Sequence, residues 1–202
     1  MIQDPASRFV VAHATGRREA PLAEAAIARA RARTGGRPLQ WCSDGWESYP
    51  PALTRAYRQP VRTGRRGRPP LRVPDGLALT QSIKHRDARG RLLGVETRAT
   101  IGAPVPRPGT SHVERLNGVL RDRLACLTRK THAFAKAAPT WDAAVGLALF
   151  AHNWLWPHPA LRQPSTAAGR RYDQRTPAMA LGVTDHPWSW PEFLTMHAPI
   201  TG

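Results

Sequence analysis

Apolar and polar positions along the chain fall into an alternation of strand-like and helix-like runs. The apolar run Arg8–Thr15 (RFVVAHAT) reads as a strand, and Asp4-Pro5-Ala6-Ser7 before it as a turn. From Ala20 to Arg33 the chain is Ala-rich, with Leu22, Ala26, Ile27 and Ala30 at helical spacing, and Gly35-Gly36 closes the helix. Pro38–Ser43 (PLQWCS) predicts a short strand that delivers Asp44 at its exit, and Pro51–Arg58 a short helix.

Gln59–Gly76 breaks the pattern. Gly, Pro and Arg dominate it and apolar residues are sparse, so it reads as a loop or insertion. Leu77–Lys84 and Arg91–Ile101 are strand-like runs joined by Asp87-Ala88-Arg89-Gly90, a hairpin signal. A Pro-rich connector, Ala103–Gly109, leads to a long helix from His112 to about Leu127, and Trp141–Trp154 predicts another. After Pro157 the chain is rich in Pro, Trp and Gly and reads as a packed, irregular arm. This is an α/β order in which an opening hairpin ahead of the first helix is not evident, so the sheet is expected to lack its first strand or strands. The expected organisation is a partial core over 1–156, with a basic insertion at about 59–76, and an arm over 157–202.

Length and composition suit one domain with a core: 202 residues, 41% hydrophobic. Thirty Lys and Arg against fourteen acids leave a net charge of +16. Such an excess repels itself unless a polyanion neutralises it, and a nucleic-acid backbone is the usual partner. Most of the cations are Arg, which forks onto phosphates and stacks on bases; a GC-rich genome also favours Arg but explains the scarcity of acids less well. The two cysteines, Cys42 in a strand and Cys126 in a helix, are expected to be reduced and buried, and no Cys-x-x-Cys pair supports a zinc ribbon. No apolar stretch approaches membrane-spanning length and no apolar signal core opens the chain, so a soluble cytoplasmic protein is expected.

The candidate chemistry centres on two acids. In the helix from His112, the stripe Val113, Leu116, Leu120, Leu124 and Leu127 is the core face. Glu114, Asn117, Gly118 and Arg121 share a neighbouring face, offering a carboxylate, an amide, a gap and a guanidinium. Ser111-x-x-Glu114 is equally a capping box, in which Glu114 bonds back to the helix start. Asp44 stands at a strand end, where ligands collect in α/β sheets, and Gly45 permits close approach; an ordinary Asp-Gly turn is the plain alternative. Two-metal phosphoryl transfer needs two or three carboxylates around ions roughly 3.5–4 Å apart. Two are identifiable and the third is not: Asp75 reads as a plain turn acid, and an intact nuclease completed by another acid such as Asp4 or Asp75 is a separate alternative.

Within the basic insertion, Arg66-Gly67-Arg68-Pro69 matches the core of an AT-hook, though Arg65 stands where a proline usually precedes it. A solvated basic loop that touches phosphates without reading bases is the plainer reading. His152-Asn153 and His158 admit a metal or substrate-positioning role against core or hydrogen-bonded histidines. Trp41, Trp46, Trp154 and Trp156 read as core, with Trp46 also placed to stack on a base beside Asp44.

Ser43-Asp44-Gly45 with Tyr49, and Ser111-His112-Val113-Glu114-Arg115-Leu116-Asn117-Gly118 with Leu120-Arg121, resemble the catalytic core of bacterial insertion-sequence transposases with an Asp-Asp-Glu triad. Leu127–Lys136 (LTRKTHAFAK), His152-Asn153-Trp154 and Arg175–Gly182 (RTPAMALG) extend the resemblance to the insertion sequence one type, over about Asp4–Leu194. The resemblance implies a ribonuclease H-like mixed sheet flanked by helices, with Mg²⁺ or Mn²⁺ as cofactor. It further implies strand cleavage at element ends and transfer into target DNA, with self-association and a nucleoid location when bound. Asp44 and Glu114 would be the second and third acidic ligands. Asn117 and Arg121 would line the DNA side of the same helix; Arg115 on it, Arg129 and Lys130 after it, and, from the basic loop itself, Arg62, Arg65, Arg66 and Arg68 are the further expected DNA contacts. The first acidic ligand has no counterpart, since Asp4 fits a turn after a second strand, and the zinc and helix-turn-helix region of the family is missing. A chain lacking the family's N-terminal part, weakly active or inactive alone, is the resulting expectation; a DNA-binding remnant or regulator is the alternative.

Overall fold

The computed structural model describes residues 1–62, 64, 66–128, 130 and 132–196. They form a mixed α/β structure that divides into two compact units, Met1–Ile2 with Val11–Asn117, and Gln3–Val10 with Gly118–Gly202. Two strands do precede the first helix, contrary to expectation: β1 (Ile2–Gln3) and β2 (Val10–Ala12) pair with each other in a two-stranded sheet, not with the main sheet, and supply residues to both units. β2 is shorter than the run from Arg8 predicts because Arg8 takes φ 63, a left-handed turn from which extended backbone starts only at Val10. The turn itself is where the sequence places it: Asp4 Oδ2 accepts the Ser7 amide at 2.7 Å.

The first unit holds α1 (Ala20–Arg33), β3 (Gln40–Asp44) and α2 (Tyr49–Tyr57), then a small hairpin of β4 (Gln59–Pro60) and β5 (Leu71–Arg72). It continues with β6 (Ala78–Arg86), β7 (Leu92–Ile101) and the start of α3 (Ser111–Arg123). Its main sheet is three-stranded and mixed, in the order β3-β6-β7. β3 runs parallel to β6 from Gln40 opposite Ala78 to Asp44 opposite Ser82, and β7 folds back antiparallel on β6. Asp87 closes that hairpin, its Oδ1 accepting the amides of Arg89 at 2.9 Å and Arg91 at 2.8 Å, while Gly90 takes the left-handed φ of 79.

The core lies where α1 and α2 cover the sheet. Ala23 and Ile27 of α1 and Ala52, Leu53 and Tyr57 of α2 are buried against Leu77 and Leu79. On α1 the buried set Ala23, Ala26, Ile27 and Ala30 repeats at helical spacing, and Gly35 and Gly36 turn the chain out of the helix at φ 65 and 70. Small residues on this face let the helix lie close to its neighbours. Along β3 the exposed positions alternate as Gln40, Cys42 and Asp44, with Trp41 half-buried against the core. Cys42 is therefore on the open face, contrary to the expectation of burial, and Cys126 is half-buried. Pleating places alternate residues on opposite faces, so Trp41 turned inward puts Cys42 outward.

In the second unit α3 ends at Arg123, short of the predicted Leu127. Leu124 is extended, Ala125–Leu127 form one 3-10 turn, and the Thr128 hydroxyl donates to the Arg121 carbonyl at 3.0 Å, satisfying one of the last helical carbonyls. α4 (Ala138–Phe150) continues into a π turn, Ala151–Leu155. The arm beyond it carries β8 (Gln163–Pro164) with β9 (Tyr172–Asp173), then α5 (Pro177–Leu181) and α6 (Trp190–Thr195). Aromatic rings pin it: Phe150 meets Phe193 at 4.1 Å and Trp154 meets Trp188 at 4.8 Å, centroid to centroid. No described helix is long and apolar enough to cross a membrane.

Candidate functional site

Asp44 and Glu114 meet in the first unit. One arrives as the last residue of β3, the other in the first turn of α3, after the β6–β7 hairpin has carried the chain away and back. Together with Arg18, Trp46, Ser82 and Lys84 they line an open depression of about 460 Å³. A third acid, Glu47, also lines it, so three of the chain's fourteen acids gather at one place in a strongly basic protein.

Each of the two predicted carboxylates is answered by a cation. Arg18 Nη2 donates to Asp44 Oδ2 at 3.1 Å, and Lys84 Nζ to Glu114 Oε1 at 2.8 Å. The Lys84 hydrogen bond, and after it one from the Thr110 hydroxyl at 3.1 Å, hold the Glu114 carboxyl below its ordinary range. Both pairs face solvent, with Lys84 43% and Glu114 52% exposed, so each stabilises the fold by no more than about 1 kcal/mol. The capping arrangement is displaced by one residue from the predicted box. Ser111 is already helical, and the residue that Glu114 reaches is Thr110.

Gln81 fixes the turn beneath the site. Buried in the middle of β6, it donates from Nε2 to the carbonyls of Asp44 at 2.9 Å and Trp46 at 3.1 Å, and its Oε1 accepts the Thr100 hydroxyl at 3.1 Å. Asp44 Oδ1 accepts the Trp46 amide at 3.2 Å, tightening the same turn. Both open readings of Asp44 are therefore physically present, as a turn acid and as a carboxylate on the depression. The space beside Gly45 is filled from within: a Cβ there would meet Ile83 Cγ1 at 3.1 Å. Trp46 packs edge-on to Tyr49 at 5.1 Å with the Arg18 guanidinium over its ring at 5.1 Å.

Comparison with known proteins adds no assignment. The chain matches no protein-family model, no curated protein and no solved structure.

The other predicted residues fall elsewhere. Arg115 is exposed and Asn117 half-buried on α3, and neither lines the depression. Arg121 and Lys130 are exposed residues of the second unit. Arg62, Arg66 and Arg68 come together with Arg72 around an open cleft of about 900 Å³ on the basic insertion. Arg65 and Arg129 lie outside the described residues. Of the candidates for a third acid, Asp4 is engaged by Ser7 in its own turn. Asp75 precedes β6, at the opposite end of the parallel β3–β6 pair from Asp44.

The histidine motif has a structural explanation. Asn153 Oδ1 accepts the Val10 amide at 2.8 Å, and its Nδ2 donates to the Val10 carbonyl at 3.0 Å. His152 Nε2 donates to the Arg8 carbonyl at 3.0 Å, and burial pushes its pKa down. His158 Nδ1 accepts the Ala160 amide at 3.2 Å. These are the hydrogen-bonded histidines of the plainer reading, and His152 with Asn153 clasps the Gln3–Val10 segment.

Whether a divalent ion suits the depression is decided by its donors. Hard cations such as Mg²⁺ take several oxygen ligands in near-octahedral geometry. Among the described residues, no three His, Cys, Asp or Glu side chains converge closely enough to hold one. The two best-placed carboxylates are tied to Arg18 and Lys84. The residues present do not fit a self-sufficient two-ion centre.

Arg18, Glu47 and Lys84 are the site residues that sequence reasoning missed. Lys84 carried no local signal, since it reaches the site through strand register, two positions along β6 beyond Ser82, whose Cα partner is Asp44. Arg18 and Glu47, in irregular segments, carried none.

Proposed function

We propose that the chain acts on DNA as a member of the bacterial insertion-sequence transposase lineage with an Asp-Asp-Glu core, insertion sequence one type. In this reading its mixed sheet and helices belong to a ribonuclease H-like fold. The observation that carries it is the meeting of Asp44 and Glu114 on one depression, from a strand end and a helix start far apart in sequence. The net charge of +16 supports a polyanionic partner, here the ends of the element and its target in the bacterial nucleoid. Asp44 and Glu114 are then the second and third acids of the triad, and Arg115, Asn117, Arg121 and Lys130 bear on DNA. Mg²⁺ or Mn²⁺ is the cofactor this lineage calls for, and no step of cleavage is assigned through it because the described donors fall short of a complete centre. The chain alone binds duplex DNA and cuts it weakly or not at all.

The salt bridges from Arg18 and Lys84 to the two carboxylates favour a second reading, a DNA-binding regulator without chemistry. Nicking of terminal-repeat duplexes, with Mg²⁺ and with a chelator, decides between them. Mg²⁺-dependent nicking lost in Asp44→Ala and in Glu114→Ala supports the enzyme. Salt-sensitive binding that survives both substitutions, with no nicking, supports the regulator. Absence of both activities sinks the lineage reading.

A further inference from the structure

The basic insertion is a built arm. β4 and β5 pair antiparallel, Gln59 opposite Arg72 and Pro60 opposite Leu71, and the Val61 amide donates to the Pro70 carbonyl at 2.9 Å. Beyond that base every described residue from Val61 to Pro70 is exposed. Arg62, Arg66, Arg68 and Arg72 surround the cleft, and none of them makes an ion pair among the described residues. From Gln59 to Pro74 the sequence has five arginines, no lysine and no acid. The arm therefore presents unneutralised guanidinium groups on a short hairpin stem.

Its tip is shaped for close approach. Gly67, between Arg66 and Arg68, has φ 112 and nothing within 4 Å of where a Cβ would lie, so its backbone can press against a surface that a side chain would hold off. Pro69 and Pro70 follow, stiffening the chain at fixed φ and donating no backbone hydrogen bond. A duplex offers such a narrow segment two places, the phosphate ridge or the minor groove. The ridge suits lysine and arginine alike. The minor groove, about 6 Å wide, admits one thin strand and is narrowest and most negative over A·T tracts. Arginine enters it more readily than lysine because guanidinium is more weakly hydrated. An all-arginine arm with a bare glycine at its tip suits the groove.

We infer that the 61–70 arm inserts Arg66 and Arg68 into the minor groove of A·T-rich duplex DNA, giving the chain a sequence preference separate from the Asp44–Glu114 depression. This rests on the proposal that duplex DNA is the partner.

Fluorescence anisotropy of the full chain on an A·T-tract duplex and a G·C duplex of equal length, at one salt concentration, tests it. Binding to the A·T duplex is expected to be about tenfold tighter and to be displaced by netropsin, which occupies the same groove. The charge-preserving double variant Arg66→Lys/Arg68→Lys is expected to lose that preference while keeping its affinity for the G·C duplex within about twofold, since phosphate contacts follow charge. Equal affinity for the two duplexes, indifference to netropsin, or a preference that survives the double variant overturns the inference and leaves the proposed function standing. Failure to bind either duplex overturns both.

Discussion

Lys84 Nζ lies 2.8 Å from Glu114 Oε1, so the carboxylate at the start of α3 is held by a cation from β6. The same contact has two consequences of opposite sign. It keeps Glu114 ionised, as a carboxylate ligand must be, and it occupies one of the oxygens that such a ligand would use.

Replacing Lys84 with Met separates those consequences. The Glu114 pKa is held down first by Lys84, so it should rise toward 4.5 in the variant, measurable by NMR titration of the Glu114 side-chain carboxyl. Because the lowered folded value stabilises the fold above the unfolded pKa and is lost as pH falls through the folded one, the stability difference from wild type should vanish at low pH. At neutral pH the loss should be under about 1 kcal/mol, since the pair is solvent-screened. A Glu114 titration unchanged in Lys84→Met would show that the pair does not persist in solution.

Asn153→Ala should cost about 2–4 kcal/mol in urea unfolding, because it strips partners from both the amide and the carbonyl of Val10 inside the protein. Amide exchange at Val10 should accelerate by more than the global loss accounts for. A loss below about 0.5 kcal/mol for Asn153→Ala would count against the clasp.

Gly102→Ala should destabilise the first unit by roughly 2 kcal/mol or more. The residue sits at φ 61 where β7 ends, and a Cβ would lie 2.4 Å from the Leu77 carbonyl oxygen, a contact with backbone that cannot swing away. A thermal melt with unchanged midpoint would refute this.

The end of the second unit should respond to pH from both sides. His186 is bonded to Asp185 at 2.6 Å and to Glu192 at 2.9 Å, and these bonds raise its pKa above 6.5. Its contribution is fully present below 6.5 and fades as pH rises through the raised value. Glu192 accepts the Ser189 amide across the start of α6 and bonds His186, bringing its pKa to about 2. Its contribution is complete above 4.5 and fades as pH falls toward about 2. α6 should therefore be best ordered between about 4.5 and 6.5, read from amide exchange at Phe193 and Leu194. Protection that rises monotonically from pH 4 to 8 would sink the idea.

What the sequence made legible follows from the range of the forces involved. α1 runs from Ala20 to Arg33 as its spacing predicts, because an apolar stripe and two glycines are local signals. The β6–β7 hairpin was equally plain from Asp87 to Gly90. The convergence of Asp44 and Glu114 was readable through motif and element order. Their partners were not, since Arg18 and Lys84 are ordinary basic residues until the fold sets them beside acids. The outward face of Cys42 was decided by Trp41, whose inward turn depends on α1 and α2. The clasp by His152 and Asn153 was hidden for the same reason, as its acceptors and donors are backbone atoms near the other end of the chain.

That clasp also sets an order of events during synthesis. The Gln3–Val10 segment is made before its partner Asn153, which follows Val10 by 143 positions. Val11–Asn117 is one continuous stretch and can collapse as soon as it emerges. The Gln3–Val10 segment must wait until Asn153 has followed, so it is made before Val11–Asn117 yet finds its partner after that stretch is free to collapse.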